Sequence, residues 1–419
     1  MSTTEQKEMI VALDVGTSKV VCLVAEVSSE GDLQIVGVGE QSSGGLRDGA
    51  TFRSLEILVQ SIKRAISNAE LMANCVIESA VVSVSGAVTS SQNHEGMAGV
   101  SSGVVTEDTL ERAIESSKAR ILPQDKAILH ILPQEYTLDN LSGVQDPIGM
   151  SCTRLDMSVH MVLANQNALQ NIENCTRQCN VDIDMRVMAQ LASAEAVLTD
   201  AEKELGVCLI DIGAGSADIA IFSGGSIRYS SAIAFGGDYV THQLAERLKI
   251  SKRQAEALKV KHASIALAEG DDETIVINSY DGRSSQEVSQ QDVSDIVWHV
   301  YDNLFEQVLQ EIQRSGYSSR IPAGVVLTGG ASRIENLEYL AEQVIHAPAR
   351  VASPDVGSKM AGVLDVPNYA TVVGLLMYAI QDDQRGAQYR MSSVPEQQEY
   401  VPDRRGLVDT IISTIKQKF

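Results

Sequence analysis

Two aspartates, each at the end of an apolar run and each followed by small residues, are the side chains best suited to hold a phosphate and its cation. Asp14 follows the apolar residues 10–13, and Asp211 follows the apolar residues 207–210. Carboxylates bind hydrated Mg²⁺, and the N–H groups of a small-residue turn can converge on an anion. The pattern predicts two phosphate-binding turns, with Asp14 and Asp211 holding Mg²⁺ largely through water.

The turn residues themselves supply the expected phosphate contacts. Glycine lets the backbone approach an anion closely, while hydroxyl and ammonium groups add donors and charge. Lys19 is expected to place its charge on the phosphates, and an outward salt bridge is the alternative. The candidate phosphate ligands are Gly16, Thr17, Ser18, Lys19, Gly213, Ala214, Gly215 and Ser216.

The elements that position these turns are predicted to be strands. Apolar residues continue after each turn, at 20–25 and 219–222, whereas a P-loop or a dinucleotide-binding turn would open a helix. A single turn of this kind is equally consistent with a plain β-hairpin. Two copies, one in each half, predict two similar half-domains that face each other. A third glycine-rich turn, 328–333, follows the apolar residues 324–327.

Helices and further strands are predicted to complete each half. Apolar residues at three- and four-residue steps predict amphipathic helices at 54–73 and 292–314. Strands are predicted at 77–84 and 155–164. Residues 187–199 are mostly small, and they are predicted to form a tightly packed hinge helix between the halves.

Composition restricts the class of protein. The 419 residues suffice for two domains of ordinary size, and the formal net charge of −22 argues against a nucleic-acid binder. The six cysteines lack metal-type spacing and are expected to be reduced thiols of a cytosolic protein. The N-terminus has no apolar signal core, and the apolar segment 371–380 is too short to span a bilayer.

The amino-acid composition changes twice near the end of the sequence. Residues 381–402 are polar and are expected to form a flexible tether. Residues 406–419 then combine an apolar helical face with basic residues, which favours a helix lying in a membrane surface; a helix docked on its own domain is the alternative. The residues expected to contact anionic lipid are Arg404, Arg405, Leu407, Val408, Ile411, Ile412, Ile415, Lys416, Lys418 and Phe419.

The three turns together resemble the nucleotide site of the actin, Hsp70 and sugar-kinase superfamily. Finer motifs are similar to the FtsA family of bacterial cell-division proteins: IVALDVGTSKVVCLVAEV near the N-terminus, SVSG at 83–86, LHILPQEYTLD at 129–139 and GGDYVT at 236–241. The resemblance covers about the whole chain. It implies an α/β, actin-like ATPase (ribonuclease H-like) fold of two related domains, with an FtsA-type 1C insertion, a disordered linker and a C-terminal amphipathic helix.

The resemblance, combined with shifts in composition, also implies domain boundaries. The expected segments are subdomain 1A at 8–85, inserted subdomain 1C at 86–165, the rest of 1A with the connecting helix at 166–204, subdomain 2A at 205–245, subdomain 2B at 246–315, the rest of 2A at 316–380, the linker at 381–403 and the membrane-targeting helix at 404–419.

By the same resemblance, the cleft between the halves binds ATP with Mg²⁺. Gln190 stands where Hsp70-type relatives have a glutamate; an amide orients water but is a poor base, so at most slow ATP hydrolysis is expected. Ala214 interrupts the glycines that are common in the second turn, and it would be strained if its φ were positive. The residues implied for the ribose, adenine and adenosine contacts are Glu256, Lys259, Gly329, Gly330, Ala331 and Arg333.

The resemblance further implies partners and a location. The expected partners are the C-terminal peptide of FtsZ at subdomain 2B, with Arg253 and Arg283 as candidate contacts, further copies of the chain in a filament, and later division proteins recruited through 1C. Anionic lipids at the cytoplasmic face of the inner membrane, at the division septum, would hold the tail. No nucleic acid is expected. The rival interpretations are a sugar-type kinase and a pilus-assembly ATPase of the same superfamily.

Overall fold

The computed structural model describes residues 8–28, 33–118, 123–266, 272–278, 285–356 and 362–384. The predicted membrane-targeting helix, the linker from 385 onwards and Arg283 lie outside these ranges. Within them, no helix combines the length and the apolar character needed to cross a membrane.

Eighteen strands and ten α-helices occur in the described ranges. In chain order, the strands are β1 (Glu8–Val15), β2 (Lys19–Val27), β3 (Leu33–Ser42), β4 (Leu46–Arg47), β5 (Thr51–Phe52), β6 (Ser79–Val84), β7 (Thr89–Gly99), β8 (Lys126–Leu138), β9 (Leu141–Val144), β10 (Arg154–Asn165), β11 (Asp182–Met188), β12 (Val207–Ile212), β13 (Ala217–Ser223), β14 (Ser226–Ile233), β15 (Thr274–Asn278), β16 (Ser285–Ser289), β17 (Val325–Thr328) and β18 (Ala349–Val351). The helices are α1 (Leu55–Ala73), α2 (Glu107–Ser117), α3 (Gln166–Arg177), α4 (Ala189–Val197), α5 (Asp200–Leu205), α6 (Gly237–Leu248), α7 (Lys252–His262), α8 (Gln290–Ser315), α9 (Leu337–Ile345) and α10 (Ala370–Gln384).

Two five-stranded sheets repeat one topology. The first has the order β11-β6-β1-β2-β3 and the second has the order β14-β13-β12-β17-β18. In each, an antiparallel hairpin (β1–β2 or β12–β13) pairs in parallel with a later strand (β6 or β17). Each predicted phosphate turn is therefore a hairpin tip, and the expectation of two related half-domains is confirmed.

The first sheet is covered on one face by α1. Its N-cap is Ser54, whose hydroxyl accepts from the N–H of Ile57. The predicted apolar face of this helix is buried, including Leu58 and Ile62. Gly39 in β3 lets the helix approach, since a Cβ there would lie 1.8 Å from the carbonyl oxygen of Ala65.

Two helices join the sheets, α4 with mostly small residues and α10 with mostly aliphatic ones. α10 packs against β1, β2 and β6 of the first sheet, α4 packs against β12 and β13 of the second, and the two helices pack against each other. A Cβ on Gly374 would lie 1.8 Å from the carbonyl oxygen of Ala192, so the helix backbones nearly touch. Close packing at the hinge is confirmed.

The predicted limits of the hinge helix and of the linker need correction. The prediction of a helix over 187–199 is wrong at its start, because Val187 and Met188 pair with Ser83 and Val84 as the end of β11. The hydrogen bonds of a parallel ladder outweigh the local helical pattern there. α10 continues to Gln384, so residues 381–384 are helical and are not part of the predicted linker.

The chain between β6 and α3 forms a separate subdomain, which we call the inserted subdomain. Its sheet has the order β7-β10-β8-β9, and α2 packs against β7 and β10. The predicted N-cap, Thr106, accepts from the N–H of Thr109 in a capping box. The subdomain also contacts β14, the edge strand of the second sheet.

Side chains of the inserted subdomain cap the free backbone of this edge strand. Ser91 and Asn93 donate to the carbonyl oxygens of Ser230 (2.8 Å) and Arg228 (3.1 Å). Gln134 donates to the carbonyl oxygen of Ile227 at 2.7 Å. Carbonyl groups that would otherwise be unpaired at a sheet edge are thus satisfied.

The cysteines match the expectation of structural thiols. All six are free, and burial raises the pKa of Cys22 and of Cys208 to about 12. A thiol with so high a pKa is almost entirely protonated at neutral pH and therefore unreactive.

Candidate functional site

A cleft between the two sheets holds a cavity of about 360 Å³. The three glycine-rich turns all contribute to its wall. The predicted binding residues that line it are Asp14, Gly16, Thr17, Ser18, Lys19, Asp211, Gly213, Ala214, Gly215, Ser216, Glu256, Lys259, Gly329, Gly330, Ala331 and Arg333. The structure therefore brings together residues from four distant parts of the sequence.

The first turn joins β1 to β2. The N–H of Gly16 donates to the carbonyl oxygen of Lys19 at 3.0 Å, which closes a tight hairpin. The ammonium group of Lys19 lies 3.1 Å from Glu40 and 3.8 Å from the ring centre of Tyr369. Lys19 lines the cavity and also forms the salt bridge considered as the alternative.

The second turn joins β12 to β13 and supports the start of α6. The N–H of Gly213 donates to the carbonyl oxygen of Ser216 at 2.8 Å. The first N–H groups of α6, those of Gly237 and Asp238, donate to the carbonyl oxygens of Gly213 and Ala214. Ala214 does not have a positive φ, so alanine introduces no backbone strain at this position.

Two carboxylates face each other at the ends of β1 and β12. Asp14 accepts from the hydroxyl of Ser83 at 2.6 Å, and Asp211 accepts from the hydroxyls of Ser193 and Thr371. Burial raises the pKa of Asp14, against the opposing effects of Ser83 and Lys19. Burial and the neighbouring Asp14 raise the pKa of Asp211 to about 6.

Asp218, at the start of β13, is a third buried carboxylate in the wall. Its Oδ2 accepts from the N–H of Gly86 at 3.1 Å, which links the second sheet to the first domain. Burial and the negative charge of Asp211 raise its pKa to about 7. A cation in the cleft would favour the ionised form of each of these carboxyl groups.

The described ranges contain no group of three or more histidine, cysteine, aspartate or glutamate side chains arranged to hold a metal directly. Mg²⁺ keeps much of its water shell and takes one or two carboxylates together with phosphate oxygens. Asp14 and Asp211 fit that role, and magnesium binding stays a prediction.

Gln190, at the start of α4, is buried, and its side-chain amide forms no hydrogen bond within the described chain. Neither its Oε1 nor its Nε2 has a hydrogen-bond partner among the described residues, and the same holds for Oδ1 of Asp218. A Cβ on Gly86 would lie 2.7 Å from that Oδ1 and 2.8 Å from Nε2 of Gln190, so the two groups are neighbours. Buried polar atoms left without partners usually mark a place for water or ligand.

The third turn and α7 form the other end of the cleft. The ammonium group of Lys259 lies 2.8 Å from Glu256, and both side chains line the cavity. The hydroxyl of Tyr301 donates to the carbonyl oxygen of Ala331 at 2.6 Å and fixes the turn. Gly329 has a φ of 85°, and a Cβ there would lie 2.3 Å from Oδ1 of Asp211.

Sequence reasoning missed several residues of the wall. Some belong to motifs that were noted without a role, such as SVSG and GGDYVT, and Asp48-Gly49 is a recognisable turn signal. Others, near the start of α10 and within α8, carry no local signal. The missed glycine and polar residues are Gly49, Ser83, Ser85, Asp218, Gly237, Asp238, Tyr301, Asn368 and Thr371.

Arg253, one of the two candidate partner contacts, lies on α7 and is exposed. It does not line the cavity, although Glu256 and Lys259 on the same helix do. A partner could therefore reach Arg253 while the cleft is filled.

Solved structures with similar folds come from actin-like ATPases and their relatives. The chain resembles the PilM-PilN type IV pilus biogenesis complex with a TM-score of 0.65 and 16% identity, over 89% of this chain and 99% of that one. It resembles MreB 5 of Spiroplasma citri bound to AMPPNP with a TM-score of 0.58 and 13% identity, over 91% of this chain and 98% of that one. These likenesses show an actin-like fold.

Sequence comparison identifies the family. The model "Cell division protein FtsA" matches residues 208–374, and "SHS2 domain inserted in FTSA" matches residues 86–163. The chain is 43% identical to cell division protein FtsA of Pseudomonas aeruginosa over 393 residues, which are 94% of each chain. It is 34% identical to FtsA of Escherichia coli K12 over 394 residues, which are 92% of this chain and 94% of that one. The chain belongs to the FtsA family of cell division proteins.

Proposed function

We propose that this protein binds ATP with Mg²⁺ in the cleft and, in that state, polymerises and anchors FtsZ filaments to the inner membrane at the septum. The observation that carries the nucleotide part is the cavity, whose wall unites three glycine-rich turns with Asp14 and Asp211. Two structural neighbours, both MreB 5 of Spiroplasma citri, are bound to AMPPNP and to ADP.

The residues present fit a magnesium nucleotide. The volume of about 360 Å³ lies within the range of about 300–1,000 Å³ typical of ligand pockets. Hydroxyls of Thr17, Ser18 and Ser216, with backbone N–H groups of the two turns, would hold phosphate oxygens from both domains. Bound nucleotide supplies negative charge that both turns bind, and binding would therefore draw the two domains together.

The chemistry of the site favours slow hydrolysis. Gln190 does not itself line the cavity, but it lies beside the lining residues Ala189 and Asp218, and its buried amide, which has no protein partner in the described chain, could orient a water molecule there. An amide is a poor general base. We infer that nucleotide serves mainly to set the conformation of the two domains.

The contacts outside the cleft are proposals that rest on sequence. The segment 404–419 has the composition of an in-plane membrane helix, and each basic residue near an anionic surface contributes about 1 kcal/mol. A single tail would bind reversibly, while a row of tails on a filament would bind firmly through high effective concentration. Arg253 on α7 is the described candidate contact for the FtsZ peptide, and the inserted subdomain is the candidate surface for later division proteins.

Co-sedimentation with vesicles tests this function. The full chain and a chain ending at Pro402 are mixed with vesicles of anionic or neutral lipid, with and without MgATP, and pellets are viewed by negative-stain microscopy. We expect filaments on anionic vesicles only for the full chain with nucleotide. A full chain that stays dispersed, ignores lipid and consumes ATP only with an added small-molecule acceptor would be a kinase.

A further inference from the structure

The carboxylate of Asp211 is held by one hydroxyl group from each hinge helix. Ser193 on α4 donates to its Oδ2, and Thr371 near the start of α10 donates to the same oxygen at 3.2 Å. The two hydroxyl oxygens lie 3.1 Å from each other. These three side chains come from distant parts of the sequence, and we call them the hinge cluster.

The members of the hinge cluster belong to different domains. Asp211 lies in β12 of the second sheet, and α4, which carries Ser193, packs against β12 and β13. Thr371 belongs to α10, which packs against β1, β2 and β6 of the first sheet. The hydrogen bond from Thr371 to Asp211 therefore joins the two domains at the wall of the cavity, which both residues line.

The two hydroxyls do not contribute equally. Each hydroxyl has a single proton to donate. Ser193 is completely buried and gives its proton to Asp211. The proton of Thr371 can go to Asp211 or to the oxygen of Ser193, since both acceptors are within hydrogen-bond distance. Ser193 is therefore the main support of the carboxylate, and Thr371 is the second one.

These contacts fix the rotation of the Asp211 carboxylate. Both hydrogen bonds fall on Oδ2, whereas Oδ1 lies against the third turn, because a Cβ on Gly329 would be 2.3 Å from it. A carboxylate that is already oriented loses less freedom when it takes up a ligand. Hydrogen-bond partners behind a metal-binding carboxylate commonly tune its affinity for the metal.

The other candidate magnesium carboxylate is supported differently. Asp14 accepts from Ser83, which lies in β6 of the same sheet. The hydroxyl support of Asp14 thus comes from within its own domain, while that of Asp211 comes from the place where α4 meets α10. The orientation of Asp211 towards Asp14 should therefore depend on the contact between the two hinge helices.

We propose that Ser193 and Thr371 are positioning residues that orient Asp211 for the hydrated magnesium of the nucleotide. The affinity of the site for magnesium then depends on the hinge, because Thr371 reaches Asp211 from the first domain. This inference rests on the proposed function, that the cleft binds ATP with Mg²⁺.

The test measures the dissociation constant of ATP for the full chain by calorimetry, once with excess Mg²⁺ and once with EDTA. The ratio of the two constants is the contribution of magnesium. We expect this ratio to fall about tenfold in Ser193→Ala and about threefold in Thr371→Val, because Ser193 is the main support. Binding of ATP in EDTA should change less than about twofold in either variant, since it does not use the metal.

Two further variants control for the loss of a hydroxyl as such. Thr371→Ser keeps the hydroxyl and should retain the wild-type ratio. Thr176→Val is the matched control, because the hydroxyl of Thr176 is buried, donates to the carbonyl oxygen of Glu173 and does not line the cavity. If Ser193→Ala does not fold, the comparison of Thr371→Val with Thr371→Ser decides.

A purely structural role would weaken ATP binding equally with and without magnesium. That result, or a wild-type ratio in both Ser193→Ala and Thr371→Val, would overturn the role of the hinge cluster. The proposed function fails in a different way: the wild-type chain would then bind no ATP, or bind it no more tightly with Mg²⁺ than with EDTA.

Discussion

At the rim of the cleft, Lys19 has partners within the protein. Its ammonium group is shared between Glu40 and the ring of Tyr369, and the Tyr369 hydroxyl also donates to Glu40 at 2.9 Å. A phosphate in the cleft would have to compete with Glu40 for the same positive charge. If the cleft binds nucleotide as proposed, its affinity would be set partly by Glu40, a residue that does not line the cavity.

Substitutions at this pair should act in opposite directions. Lys19→Met should weaken MgATP binding about tenfold, because a charge-assisted contact is lost. Glu40→Gln should tighten it, by no more than about fivefold, because a partly exposed ion pair contributes only about 0–1 kcal/mol. Titration of a fluorescent nucleotide measures both effects.

Lys63→Met is the control, since Lys63 is exposed on α1 and does not line the cavity. A Glu40→Gln variant that bound MgATP more weakly than wild type would show that Glu40 positions Lys19 instead of competing for it.

How far the site could be predicted depended on where each residue's signal lies. The turn residues were predicted because glycine, aspartate and the flanking apolar strands form a pattern that is visible in the local sequence. Thr371 and Asn368 were missed, since a helix that returns from the far end of the chain brings them to the cleft. Gly49 is part of a recognisable turn, but its place in the cavity wall depends on contacts with Thr17 and Ser216, which lie far from it in the sequence.

At the scale of the elements, α4 and α10 pack so closely that a larger side chain between them has no space. Gly374→Ala should lower the free energy of unfolding by about 3 kcal/mol, because the new methyl group would overlap the carbonyl of Ala192 and backbone cannot move aside as a side chain can. The higher helix propensity of alanine offsets only about 1 kcal/mol of this. Denaturant unfolding measures the change.

Gly99→Ala serves as the comparison, since a Cβ on Gly99 would meet nothing within 4 Å. We expect a change within about 0.5 kcal/mol for that variant. Equal stability of the Gly374 variant and wild type would mean that α4 and α10 separate readily, and the hinge would then be looser than the structure indicates.

Element limits were predictable where local pattern and tertiary pairing agree. The predicted limits of α1 match the structure because Ser54 caps the helix and one of its faces is apolar. Met188 was misassigned because pairing with Val84 in the sheet outweighs the small-residue pattern that follows it. The strand β14 was not assigned at all, and its pairing with β13 is irregular between Ile221 and Phe222.

At the scale of the whole molecule, the inserted subdomain contacts the second domain through the buried side chain of His160. His160 bonds to Asn93 at 2.7 Å and to Ser230 at 2.9 Å. Burial, with the nearby His130, lowers the pKa of His160 to about 4. The unfolded chain, with a histidine pKa of about 6.5, binds a proton at pH 5 that the folded chain does not.

The contribution of His160 to folding stability should therefore fall as pH drops from about 6.5 towards 4, while the raised pKa values of Asp211 and Asp218 act in the opposite direction. The loss due to His160 alone should be roughly 2 kcal/mol between pH 7 and pH 5. In His160→Gln this part of the pH-dependent loss of unfolding free energy should disappear. Denaturant unfolding at pH 7 and pH 5 measures it.

His242→Gln provides the reference, because the side chain of His242 is 55% exposed on α6. The same pH-dependent loss in His160→Gln as in wild type would show that His160 does not couple the inserted subdomain to β14.

The last described helix completes the first domain and not the second. Because α10 covers β1, β2 and β6, the N-terminal sheet leaves the ribosome with one apolar face bare. That face stays bare until the entire second domain has been translated, so the two domains cannot mature one after the other. A nascent chain that stalls before residue 370 would present this surface to chaperones or to other nascent chains.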